Sequence, residues 1–124
     1  MSPDDFMRSY EAATAAHDLE ATLSLIADDA IYLFSNESSH VGKAAIRSVL
    51  ATNFAAIEAE DYRIAGLRWL VQSEDLAVGV YTYHWVGRIR GERASGSGRG
   101  TCALRKVGAD WRVVHEHLSR GSLD

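Results

Sequence analysis

The chain lacks most of the features that announce a chemistry. It has one cysteine, Cys102, in 124 residues. A lone thiol forms no internal disulfide and cannot build a cysteine-rich metal site. A reducing, cytoplasmic setting is therefore expected, although one thiol does not demand it. No apolar run approaches the roughly 18 residues that a membrane-spanning helix needs. The N-terminal stretch MSPDDFMRSYEAATAAHDLE carries acids from Asp4 onward and no apolar segment, so it does not read as a signal peptide. There is no GxGxxG, no phosphate-cradling loop and no zinc-finger spacing.

Positive charge is also sparse where a nucleic-acid binder would concentrate it. The formal net charge is −4. Residues 1–62 hold 3 Lys/Arg against 11 Asp/Glu, whereas residues 63–124 hold 10 against 6. The arginines of the second half are scattered and lack the dense basic patch with interleaved aromatics that nucleic acid requires. They read as charges solvating alternate strand faces. Neither nucleic acid nor membrane is an expected partner, and the asymmetry between the halves favours self-association.

What is present is an ordinary folding composition, 47% hydrophobic and 24% charged. Residues 1–124 are long enough to bury a core without staples and are read as a single domain. Ser2-Pro3-Asp4-Asp5 is a helix start: a capping serine, proline at the first helical position and acids in the first turn. Phe6, Tyr10, Ala13 and His17 follow at helical spacing. His17-Asp18 reads as a break, with Asp18 capping a second helix whose stripe is Leu19, Leu23, Ile26 and Ala27 and which Asp28-Asp29 ends. AIYLFS, 30–35, reads as a strand, and NESSHVG as a loop. A third helix runs from Gly42 to about Glu58, with Ile46, Val49, Leu50, Asn53/Phe54 and Ile57 on one face.

After Asp61 the period changes from helical to alternating. Strands are expected at about 62–73, 76–89, 93–106 and 110–120, joined by hairpin turns at 73–75, 90–92 and 108–110. In the second of these, Leu76, Val78, Val80, Thr82, His84 and Val86 share one face; Ala77, Gly79, Tyr81, Tyr83 and Trp85 share the other. GERASGSGRG, 91–100, reads as an arm of a long hairpin, because glycines let a strand bend. Helices gathered before a run of strands indicate an α+β fold: a curved, cone-shaped antiparallel sheet packed over three helices.

This order, with GRGTCALRKVGADWRVVHEHLS, resembles the nuclear transport factor 2-like superfamily. Within it the chain is similar to SnoaL-like and DUF4440-type small proteins and to the association domain of calcium/calmodulin-dependent kinase II. The residues carrying the resemblance are Gly42, Gly98-Arg99-Gly100-Thr101, Trp111 and His115-Glu116-His117-Leu118-Ser119. The resemblance implies a pocket between sheet and helices and a homodimer paired through the outer sheet face. It also implies which residues face the pocket: Ile46; Tyr81, Tyr83 and Trp85; Cys102 and Leu104; and Val114, Glu116 and Leu118. His84, His115 and His117 then lie on the outer, dimer-forming face. The chain departs from its relatives in two respects. The kinase association domain has pocket arginines where Tyr83, Cys102 and Leu118 stand here. Ketosteroid isomerases place an aspartate just after the first strand, where this chain has Ser35-Asn36-Glu37.

WRVVHEHLS, 111–119, admits three chemistries. His115 and His117 alternate on one strand face and can chelate a divalent ion, with His84 as a conceivable third ligand; the competing reading is a polar dimer seam, and no metal or other cofactor is expected. Glu116 facing an apolar cavity would have a raised pKa and suit general acid–base work, with Tyr83 or Tyr32 donating to a developing oxyanion. The competing reading is a salt bridge from Glu116 to Arg99 or Arg105. Tyr32, Tyr81, Tyr83 and Trp85 either line a cavity for a planar apolar ligand or fill the core. Cys102 reads as a small buried apolar residue. The favoured function is binding of a small hydrophobic molecule. If catalysis accompanies it, an isomerase- or cyclase-type acid–base reaction on a polyketide-like substrate is expected, with Glu116 and Tyr83 as its catalytic groups. The alternative is a non-catalytic dimerisation or ligand-sensing module.

Overall fold

The computed structural model describes residues 1–123. Its first helix, α1 (Pro3–Ala15), begins as the sequence requires. Ser2 Oγ accepts from the Asp5 amide at 3.1 Å, and the Asp5 carboxylate accepts in return from the Ser2 amide at 3.2 Å. This reciprocal cap satisfies two amides that the helix itself leaves free. The apolar stripe of α1 buries Phe6, Met7 and Tyr10. The break falls at His17, whose φ is +54°. Asp18 then caps α2 (Leu19–Ser24) by accepting from the Ala21 amide at 3.0 Å.

Here the helical period overreaches. Ile26 and Ala27 do not continue α2 but open the strand β1 (Ile26–Leu33), and Asp28-Asp29 lie exposed within that strand. The cause is tertiary: the Leu25 carbonyl accepts from the Val113 amide at 2.9 Å, and Ile26 pairs with Val113, so a distant strand captures the chain. The NESSHVG stretch is likewise not all loop, since β2 (Ser39–Val41) forms a hairpin with β1 in which Tyr32 pairs with His40. Gly42 precedes α3 (Lys43–Ala56) with φ +87°, a conformation only glycine adopts at little cost. Ile46 and Leu50 of α3 point to the core.

The second half is a meander of four long strands: β3 (Glu58–Gln72), β4 (Leu76–Ile89), β5 (Glu92–Val107) and β6 (Asp110–Ser119). The single sheet runs β2-β1-β6-β5-β4-β3. Neighbours are antiparallel except β1 and β6, which are parallel. The sheet is curved and unclosed, an α+β cone with three helices against its concave face. Register shifts along β3 contribute the curvature, because each local excess residue adds bend and twist.

The glycine-rich stretch of β5 is a strand throughout, and the register explains its composition. Gly96, Gly98 and Gly100 stand opposite Trp85, Tyr83 and Tyr81 of β4. Each ring lies across its glycine partner; a Cβ on Gly100 would sit 2.6 Å from Tyr81 Cζ. Large aromatics over bare glycines let the rings lie flat along the sheet.

On β6 the expected alternation fails at one residue. Leu104 pairs with Val113 and Ala103 with His115, so Val114 is an unpaired bulge. The concave face therefore receives Trp111 and Val113 before the bulge and Glu116 and Leu118 after it. Val113 is fully buried; Val114 is half-buried and takes no part in the pocket, contrary to the uninterrupted alternation expected from the sequence.

Candidate ligand cavity and its acid–base groups

A cavity of about 250 Å³ lies between the concave sheet face, α1 and α3. It is near the small end of ligand pockets. Aromatic side chains are the largest group on its wall, among them Tyr32, Phe34, Phe54, Tyr62, Tyr83 and Trp85. Among the described residues, no lysine or arginine lines it; the two charged residues on its wall are Glu60 and Glu116.

Glu116 is 4% exposed. The Tyr10 hydroxyl donates to Glu116 Oε2 at 2.7 Å, and the Tyr32 hydroxyl stands 2.7 Å from that of Tyr10. With the carboxylate ionised, Tyr10 commits its one proton to Glu116, so Tyr32 must donate to Tyr10. The salt bridge expected as an alternative does not form. Arg99 reaches Ser119 Oγ at 3.1 Å and the Ser122 carbonyl, and Arg105 reaches Asp29 at 3.3 Å. Burial without a cationic partner raises the Glu116 pKa from 4.5 to about 7. The Tyr10 hydrogen bond opposes that rise, as does the nearby Tyr81 hydroxyl, which completes no hydrogen bond among the described residues. Burial first, and the Glu116 charge second, push the phenols of Tyr10, Tyr32, Tyr62 and Tyr81 well above their ordinary range. These hydroxyls stay protonated, and those of Tyr10 and Tyr32 form the donor chain to Glu116.

The structure places the other expected site residues in two groups. Tyr32, Tyr83, Trp85 and Leu118 line the cavity with Glu116. Ile46, Tyr81, Cys102 and Leu104 do not: each is at most 1% exposed and packed into the core beneath the cavity floor. Alternation correctly turns these side chains inward, but inward is not the same as lining, because a fully buried side chain such as Tyr81 is core and fills the space itself. Cys102 is pushed up to about 12 by burial and then by the Glu116 charge, which leaves its thiol unreactive. Tyr83 stands on the wall over Gly98, and it is Tyr10 that touches Glu116. Tyr10 was legible in sequence as part of the stripe on α1; its carboxylate partner, 106 residues away, was not.

His84, His115 and His117 sit on the convex face. His84 and His117 are exposed; His115 is half-buried, with Nδ1 2.7 Å from the Ile31 carbonyl oxygen. His115 and His117 are neighbours, with ring centroids 6.3 Å apart. His84 does not join them: it pairs with Ser97 of β5, whereas His117 pairs with Thr101, four residues along that strand. Among the described residues, no group of three or more His, Cys, Asp or Glu is arranged to hold a metal.

One pair went unread in the sequence. His17 Nε2 lies 2.6 Å from Glu60 Oε1, and the His17 ring stacks on Phe54 with centroids 4.5 Å apart. The left-handed turn after α1 and the start of β3 bring these residues together, and no local pattern signals that meeting.

Among solved structures, the chain is similar to a proposed aromatic ring hydroxylase from Novosphingobium aromaticivorans, at 20% identity and TM-score 0.86 over 96% of this chain and 86% of that one. It is also similar to a proposed scytalone dehydratase from the same species, at 16% identity and TM-score 0.85 over 96% and 81%. A third likeness is to a nuclear transport factor 2-like superfamily protein from Salmonella enterica, at 17% identity and TM-score 0.83 over 97% and 89%. At such identities the likeness carries the fold alone. No curated protein matches the chain. No helix is long and apolar enough to cross a membrane among the described residues. The SnoaL-like domain family matches residues 4–122, and the chain therefore belongs to that family.

Proposed function

We propose that the protein binds a small hydrophobic molecule in its cone cavity and moves a proton on it without a cofactor. The observation that carries this reading is Glu116: a carboxyl without a cationic partner, on the wall of an aromatic cavity, with a pKa of about 7. Such a group is both a competent base and a competent acid near neutral pH. Tyr10 holds Oε2, which leaves Oε1 to receive a proton. Removing a proton beside a ligand carbonyl leaves negative charge on the carbonyl oxygen. Tyr83, on the same wall and with its hydroxyl engaged by no described residue, is positioned to donate to that charge. Isomerisation or ring closure of a polyketide-like substrate follows from these two groups. Self-association through the convex face, where Ile31 and His117 are exposed, belongs to the same reading.

The test is exchange of the α-protons of 2-tetralone, a bicyclic hydrophobic ketone, in deuterated buffer followed by NMR. The protein is expected to accelerate exchange, and Glu116→Gln to remove roughly 100-fold or more of that acceleration. Equal exchange by both proteins refutes the catalytic role. Binding of the ketone without accelerated exchange favours the ligand-sensing alternative instead.

A further inference from the structure

Glu116 occupies one polar region of the cavity; a second region is built from α1 and the start of β3. Thr14 lines the cavity one helical turn beyond Tyr10, and its Oγ1 is buried without a hydrogen-bond partner among the described residues. A helical threonine can return its hydroxyl to the carbonyl four residues earlier; Thr14, in the last turn of α1, does not. A buried hydroxyl left unpaired costs free energy that a partner would restore. Three residues further on, His17 grips Glu60 through Oε1, and Glu60 also lines the cavity with Oε2 uncommitted among the described residues. The Glu60 side chain is only 8% exposed and is fixed in place by a histidine that itself stacks on Phe54. Ser35 and Asn36 also line the cavity but lie exposed at its rim, where Asn36 Oδ1 already accepts from the Ser38 amide and hydroxyl.

We infer that Thr14 and Glu60 form a recognition point for a hydroxyl of an uncharged ligand. The ligand hydroxyl donates to Glu60 Oε2 and accepts from Thr14 Oγ1, which matches the donor and acceptor capacity of each group. The charge of the wall points the same way: among the described residues its only charged groups are the carboxyls of Glu60 and Glu116, and no lysine or arginine is there to attract an anionic ligand. The substrate class is thus a hydroxylated, neutral, largely aromatic or alicyclic molecule, with carboxylates rejected. This rests on the cavity being a ligand site, as proposed above, but not on Glu116 acting as a base.

The test compares three probes by calorimetry at pH 7: 2-naphthol, its methyl ether 2-methoxynaphthalene, and 2-naphthoate. Wild-type protein is expected to prefer 2-naphthol over the ether by roughly tenfold or more, the ratio for a charge-assisted hydrogen bond. It is expected to bind 2-naphthoate at least about tenfold more weakly than 2-naphthol. Thr14→Val and Glu60→Gln should each bring the preference for 2-naphthol to within about threefold while leaving the ether's affinity unchanged. Unchanged ether binding reports an intact cavity, and Thr14→Ser should retain the preference. Retention of the preference in both Thr14→Val and Glu60→Gln overturns the assignment. If the preference disappears only in Glu116→Gln, the hydroxyl sits at Glu116; that overturns this inference and leaves the acid–base reading standing. If neither naphthol nor its ether binds, the cavity reading fails and this inference fails with it.

Discussion

Tyr10 and Glu116 meet at 2.7 Å across 106 residues of chain, a phenol on the first helix donating to a carboxylate on the last strand. The pair sits where burial and hydrogen bonding oppose each other. Burial raises the carboxyl, the phenol holds it down, and the balance lies near 7. Tyr10→Phe removes one side of that balance. Its Glu116 carboxyl is expected to titrate measurably higher than in the wild type, by carbon-13 NMR of the labelled side chain. Stability should fall by about 1–2 kcal/mol through loss of a buried charge-assisted hydrogen bond. An unchanged midpoint would show that Tyr10 does not set the protonation of Glu116.

The same group makes stability depend on pH in a direction opposite to that of a salt-bridged carboxylate. The folded carboxyl holds its proton up to about 7, whereas the unfolded one loses it near 4.5. Between those values the folded state binds more protons, so stability falls as pH rises through the window. The Glu116 contribution is complete below about pH 4.5 and is lost by about pH 7, with a total on the order of 3 kcal/mol. Other groups titrate in that range, so the informative quantity is the difference from Glu116→Gln in urea melts at pH 5 and pH 8. The wild type should lose stability relative to the variant on going to pH 8; a constant difference excludes a raised carboxyl.

Much of the architecture was readable because alternation and helical period are local. The two faces of β4 followed from its side chains one by one, and the cap at Ser2 and the break at His17-Asp18 followed from residue chemistry. The misreadings share one cause, pairing with distant chain. Ile26 and Ala27 fit a helical stripe equally well, and only Val113 decides that they form a strand. The bulge at Val114 reverses side-chain direction at a single residue, which alternation cannot announce. In the cavity, residue type was informative and partnership was not. Glu116 stood out as a carboxyl among apolar neighbours, but the residues that complete its surroundings come from α1. Tyr81 and Tyr83 are equivalent in pattern and each lies over a bare glycine; only their depth in the folded chain separates them, Tyr81 fully buried and Tyr83 on the cavity wall.

Self-association through the convex face should be visible in sedimentation velocity. Replacing His115 and His117 together by alanine is expected to shift the protein toward its slower-sedimenting form, since His117 is exposed there and His115 is half-buried beside it. A metal present in stoichiometric amount in the purified protein, and lost in that variant, would instead assign the pair to metal binding.

The glycine ladder gives a stability prediction graded by position. A Cβ at Gly98 would collide with the Ser119 carbonyl as well as with Tyr83 Oη, and backbone on the adjoining strand cannot swing aside. At Gly100 it would meet the Tyr81 ring, which is fully buried and has nowhere to go. At Gly96 the obstacle is the Trp85 ring, which is half-buried at the cavity and free to tilt. Gly98→Ala and Gly100→Ala should therefore each cost about 2–3 kcal/mol or more in urea melts, within the range of overpacked cores, and Gly96→Ala roughly 1 kcal/mol. The Gly96 variant should show its effect elsewhere: displacing Trp85 changes the cavity wall, so its tryptophan fluorescence and its affinity for 2-naphthol should shift while the fold persists. Equal destabilisation at all three positions would mean that the rings yield as a set, and that the flat aromatic row does not depend on bare glycine beneath it.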